Sequence, residues 1–188
     1  MIREEKIKLL AQLADEIRAC NRCVLHSCRK KAVPGFGNVI TKILFVAEAP
    51  GREEDEQGLP FVGKSGKLLD SIFEELGHTR RDFFITNLIK CRPPNNRDPE
   101  DSEIEKCFPY IEKQIEILSP QIIVTLGRYS TRVLLKTDER ISSLRGNVYE
   151  KDNFKIMPTF HPAYILRNNN YLPILKKDIE KAIRTVEV

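Results

Sequence analysis

The chain has 188 residues, 41% hydrophobic and 31% charged, which is enough for one domain with a well-buried core and excludes a disordered chain. Its net charge of +4 is mildly basic and assigns no nucleic-acid ligand by itself. No apolar run approaches the ~20 residues of a membrane span, and Met1-Ile-Arg-Glu-Glu-Lys6 has no signal-peptide core, so the expectation is a cytoplasmic protein with reduced thiols.

The first predicted element is an amphipathic helix over 2–18, with Ile7, Leu10, Leu13 and Ile17 on one face. A cysteine-bearing loop follows to about residue 38. The apolar run 43–47 reads as a buried strand ending in the turn Glu48-Ala-Pro-Gly51. Residues 52–63 are acidic and then turn-rich. Ser65 is placed to cap a helix that runs to about residue 76, where Gly77 stops it. Residues 83–87 form a second strand, and Pro93, Pro94 and Pro99 force a loop. A helix over 100–118, a strand over 121–126 closed by Gly127, a short helix, a strand over 154–160 and a helix over 172–185 complete the chain. Strands alternating with helices imply a three-layer α/β/α fold: one domain, residues 1–188, around a four-stranded, mainly parallel sheet. Ligands of such sheets bind at the C-terminal ends of the strands, here at Glu48-Ala49-Pro50, Asn87, Gly127 and His161.

Five cysteines in a reduced compartment point to metal. Cys20 and Cys23 form a C-x2-C pair, whereas Cys91 and Cys107 stand far apart in sequence. Four thiolates can hold zinc or a [4Fe–4S] cluster. Zinc ribbons pair two C-x2-C knuckles, so the wide second pair suits the larger group. Cys28 reads as a free thiol or as a substitute for Cys23. Gly58-Leu-Pro-Phe-Val-Gly63-Lys64-Ser65 spells a phosphate loop, G-x4-G-K-S. The physics opposes a nucleotide hydrolase, because Pro60 lacks an N–H and Glu53, Glu54, Asp55 and Glu56 would repel phosphate.

The strand ends also hold a set suited to a planar heterocycle: the Glu48 turn, the Phe61 ring, the Asn87 amide and His161. Together with Cys20-Asn-Arg-Cys23, Pro60-Phe-Val-Gly63, Thr86-Asn87, Lys90-Cys-Arg-Pro-Pro94, Asn96-Arg-Asp-Pro99, Cys107 and His161-Pro-Ala163, these residues resemble the family 4 uracil-DNA glycosylases, the iron–sulfur branch of that superfamily. The resemblance runs from about Cys20 to Arg167. It implies a monofunctional glycosylase that removes flipped-out uracil from single- or double-stranded DNA and starts base excision repair. It further implies Cys20, Cys23, Cys91 and Cys107 as cluster ligands, and Ala47, Glu48, Ala49, Phe61, Asn87 and His161 as the uracil pocket.

On that reading His161 stabilises the departing uracil anion, and Glu48 or Glu54 orients the water, Glu48 slightly preferred. DNA contact falls to Lys64, Arg92, Arg97 and Arg167, with Ile165, Leu166 and Arg167 as the wedge that fills the vacated stack. The chain departs from the family at Ala47, where Gly is usual, and a methyl beside the pocket turn is expected to narrow it or alter its backbone, with consequences for rate and uracil selectivity but not for the fold. The alternative reading is a weak or inactive iron–sulfur DNA-binding module of the same fold. A monomer is expected, and a sliding clamp stays open as a partner.

Overall fold

Five consecutive apolar residues, Ile43–Ala47, can be satisfied only by cover on both faces, and the fold supplies it. The computed structural model describes residues 1–151 and 153–187. Helix α1 (Arg3–Ala19) precedes strands β1 (Phe36–Gly37) and β2 (Ile43–Ala47). Helices α2 (Arg52–Gln57) and α3 (Lys64–Glu75) lead to β3 (Phe84–Asn87), and α4 (Asp101–Leu118) leads to β4 (Ile122–Leu126). Then come α5 (Arg128–Leu135), α6 (Ile141–Leu144), β5 (Tyr149–Lys151), β6 (Phe154–Thr159), α7 (Pro162–Arg167) and α8 (Leu172–Glu187). Among the described residues no helix is long and apolar enough to cross a membrane.

The sheet has six strands in the order β1-β3-β2-β4-β6-β5, not the four expected. The four expected strands are its parallel centre. The additions are short antiparallel edges, β1 on β3 and β5 on β6. Strands this brief carry no alternation to read, yet each pairs an edge whose N–H and C=O groups would otherwise lie open.

Side chains alternate across the sheet. Leu44, Val46, Ile123 and Ile156 face the α1–α4 layer. Phe45, Ala47, Ile85, Val124 and Met157 face the layer of α3 and α8. There the Phe45 ring meets those of Phe73 and Phe83, with centroids 5.2 and 5.3 Å away.

Two helix starts differ from expectation. Gly63, not Ser65, is the N-cap of α3. The acidic segment after Gly51 is helical: it lacks an apolar stripe, but Glu53, Glu54 and Asp55 lie in the first turn, where negative charge favours a helix. Because α3 and α4 carry the chain to opposite neighbours of β2, the strand order reverses there, and a crevice opens at the C-terminal strand ends.

Candidate active site and thiolate centre

The crevice is a cleft of about 1080 Å3. Glu48, Asn87, Gly127 and His161, from the ends of the four parallel strands, share its wall with Phe61 from the loop before α3. Asn87 is the last residue of β3, in register with Ala47 of β2 and only 2% exposed. Among the described residues, Asn87 Oδ1 is the one buried side-chain polar atom without a hydrogen-bond partner. Such an orphan in a native interior is rare and costs about 1–3 kcal/mol, so it marks a place built for a donor.

His161 follows β6 and caps α7. Its Nδ1 accepts the Ala163 N–H at 3.0 Å, which leaves the ring proton on Nε2. Burial, with the Arg167 charge adding to it, pushes the imidazole down to about 4, so it is neutral near pH 7. Gly127 lies against it with φ +94°, and a Cβ there would sit 3.1 Å from His161 Cβ. Positive φ and this close approach both call for glycine.

Phe61 stacks beside His161, with ring centroids 5.8 Å apart and planes at 27°. Its φ of +53° is left-handed, a conformation that costs a bulky residue roughly 1–2 kcal/mol. Three contacts hold it there. A Cβ at Gly66 would fall 1.7 Å from Phe61 O, so only glycine lets α3 approach this closely. Arg80 Nη2 donates to Phe61 O at 2.7 Å, and the guanidinium is itself gripped by both oxygens of Asp70 at 2.8 and 2.5 Å. Glu54 Oε1 accepts the N–H groups of Val62 and Gly63, each at 2.9 Å. The string that spells a phosphate loop therefore already carries an anion, the chain's own carboxylate at the N-terminus of α3.

Glu48 is half-buried. Burial raises it to about 7, with the Asp98 charge adding to the rise and Arg128 opposing it. Asp98 accepts from Arg128 at 2.5 Å, and that guanidinium lies over the Tyr129 ring, 4.6 Å from its centroid.

On the α1–α4 side, Cys20, Cys23, Cys91 and Cys107 line one small cavity with Tyr110, Arg22 and Arg29, and Cys28 is not in its wall. Arg29 Nη1 donates to Cys91 Sγ at 3.1 Å, and the Lys90 N–H donates to Cys107 Sγ at 3.3 Å. Burial pushes Cys107 up to about 11 despite the nearby Lys90 charge, and it also raises Cys91. At Cys20 the effect of burial is outweighed by hydrogen bonds from Tyr110 and Arg22, which lower it. Among the described residues, no three His, Cys, Asp or Glu side chains converge as the ligands of a single metal ion do.

Residues 34–186 match the family model of the uracil DNA glycosylase superfamily. The chain is 50% identical over 178 residues to the type-4 uracil-DNA glycosylase of Saccharolobus solfataricus, spanning 90% of this chain and 82% of that one. It belongs to the type-4 uracil-DNA glycosylases. The type-4 uracil-DNA glycosylase of Sulfurisphaera tokodaii is 47% identical over 181 residues, 92% of this chain and 82% of its own. That of Archaeoglobus fulgidus is 40% identical over 185 residues, 94% and 91% of the two chains.

In this type-4 glycosylase chain Glu48, Ala49, Glu54, Phe61, Asn87, Arg97, His161 and Arg167 all line the cleft. Five expected residues do not line it: Ala47, Lys64, Arg92, Ile165 and Leu166. Ile165 is 0% exposed, because α7 turns it into the core while presenting Leu166, 48% exposed, outward. It cannot act as a wedge. Ala47 is fully buried in the α3–α8 core, so its methyl group does not narrow the cleft, whose wall begins at Glu48. Lys64 is exposed at the start of α3, and Arg92 Nε donates to Asn96 Oδ1 at 2.7 Å.

The rim also holds Asn96 and Asp98, seen in the sequence only as part of the motif Asn96-Arg-Asp-Pro99, and Arg128, Tyr129, Arg132 and Arg140, which no motif included. Asn96 had a signal. Asn95 and Asn96 both adopt left-handed φ, 55° and 54°, as expected of Asn-Asn after Pro-Pro. Asp98 and Arg128 meet across thirty positions of sequence, which no local pattern records.

Proposed function

We infer that the chain hydrolyses the N-glycosidic bond of uracil flipped out of DNA. The carrying observation is the orphaned, buried Oδ1 of Asn87, set in one cleft with Phe61 and the Nε2–H of His161. A uracil in a duplex must leave the stack to be reached. Phe61 offers its ring as the stacking face. Asn87 Oδ1 accepts from uracil N3–H, and its amide donates to O4. Cytosine reverses both partners and would leave buried groups unpaired, a discrimination that can reach 10⁴-fold or more. His161, neutral and bonded at Nδ1, donates Nε2–H to uracil O2 as charge grows there. Ionised Glu48 orients the water and faces the sugar cation. Glu54 is less suited to that task, because one oxygen is engaged by two backbone N–H groups.

The four cysteines would hold the [4Fe–4S] cluster. The donor set fits: four soft thiols line a common cavity and cationic groups attend them. When bound, the cluster would tie the Cys20–Cys23 loop to Cys91 in the segment after β3 and to Cys107 on α4. Leu166 is the wedge candidate, and Arg92, Arg97 and Arg167 are phosphate contacts for single- or double-stranded DNA. The chain acts in the cytoplasm as a monomer.

The test is incubation with a uracil-containing oligonucleotide followed by alkali. Strand scission is expected from the wild type and not from a cytosine control. Binding without scission would show an inactive module instead.

A further inference from the structure

One buried amino group stands outside this chemistry. Lys90 is 1% exposed, and its Nζ donates to Thr86 Oγ1 at 2.6 Å, Gln114 Oε1 at 2.7 Å and the backbone carbonyl of Asn87 at 2.8 Å. Three acceptors surround Lys90 Nζ, enough for every donor the group can carry. Gln114, 2% exposed, fixes the hub further, its Nε2 donating to Pro34 O at 2.7 Å. The backbone of Lys90 faces the other way, its N–H donating to Cys107 Sγ. One residue thus grips the end of β3 with its side chain and the Cys107 sulfur with its main chain. An apolar side chain at Lys90 alone would leave three buried acceptors without a donor, whereas replacing the whole hub by apolar residues is often neutral for stability. What they lack is direction.

We propose that Lys90 is a positioning residue, which fixes the main chain of Asn87 so that its amide meets uracil edge-on, and thereby joins the placement of the base to the thiolate centre. The proposal rests on the reading of Asn87 as the group that pairs with uracil. Misplacing a positioned group by about 1 Å costs about 100-fold in rate, so a fixed hub three residues from the amide is consequential.

A double-mutant cycle separates positioning from plain structural support. Single-turnover rates on uracil DNA are measured for the wild type, Asn87→Ala, Lys90→Met and the double variant, each isolated with its cluster. Iron–sulfur absorbance and thermal midpoints are recorded beside them. Lys90→Met keeps the main-chain N–H to Cys107, so it cuts only the Asn87 side of the link. It is expected to slow the wild type about 100-fold and the Asn87→Ala protein less than about threefold, with the absorbance retained. Equal losses in both backgrounds, or no loss in the wild type, overturn the proposal.

Gln114→Met keeps the Lys90 side chain but removes the acceptor that Lys90 shares with Thr86, and serves if Lys90→Met does not fold. It is expected to cost about tenfold, again only where Asn87 is present. Asn87→Ala at full rate would instead refute the reading of Asn87 itself. That outcome is distinct from an impaired Asn87→Ala whose loss simply multiplies with that of Lys90→Met.

Discussion

Replacing Glu48 with Gln removes a carboxylate that burial holds near 7, well above its ordinary range. With such a value roughly one-tenth of the side chains are ionised at pH 6 and roughly nine-tenths at pH 8. If the anion orients the water, the single-turnover rate rises about tenfold over that interval. His161, near 4, stays neutral throughout and adds no limb of its own. The Gln variant should be slow and flat with pH. Asp98→Asn should shift the limb to lower pH, since the Asp98 charge helps raise Glu48, and Arg128→Gln should shift it upward.

Stability moves the opposite way. A carboxylate raised on folding favours the protonated folded state. Its cost is absent below the unfolded value and grows as pH rises toward 7. At about 1.4 kcal/mol for each pH unit of displacement, discounted for water access to a half-buried group, Glu48→Gln should gain roughly 2 kcal/mol at pH 8 and nothing at pH 4. Urea titrations at the two pH values measure this. A Gln variant that keeps the acid limb, or that is no more stable at pH 8, refutes the assignment of Glu48 as a buried, ionising water-orienting group.

His161→Ala should slow base release about 100-fold or more, the scale of one lost oxyanion donor; a near-normal single-turnover rate would remove His161 from the chemistry. Gly66→Ala should push the Phe61 backbone away, lowering the thermal midpoint and raising the apparent Kd for uracil DNA; unchanged melting and binding would show that the close approach is dispensable. Cys23→Ser should lose iron–sulfur absorbance while Cys28→Ser keeps it, because Cys28 lies outside the thiolate cavity; the reverse would make Cys28 the ligand.

The strand ends were legible because period and apolar run specify β2, β3, β4 and β6, and parallel strands send their C-termini to one side. The strand-end positions of Asn87 and His161 followed from that, while their roles were read from the resemblance. The partners that tune them were not legible. Asp98 and Arg128 meet across the loop, α4 and β4, and the left-handed φ of Phe61 is enforced by Gly66 and Arg80, with nothing at position 61 to announce it. Ile165 was misplaced for a related reason. In so short a helix as α7, the sequence His161-Pro-Ala-Tyr-Ile-Leu-Arg167 does not say which of two adjacent aliphatic residues turns inward, and packing against the α3–α8 layer decides.

The Glu54 carboxylate on the Val62 and Gly63 amides gives another meaning to a spelling shared with nucleotide-binding loops. A helix that opens on glycine exposes N–H groups that need a negative partner, whatever its source. In one kind of protein the partner arrives from solution and leaves again. Here it is covalently part of the chain and never departs, so the loop is permanently in the state that a nucleotide enzyme reaches only when loaded. What such a loop exchanges for turnover of an anion is constancy: the aromatic ring beside it is held in one place from the moment the chain folds.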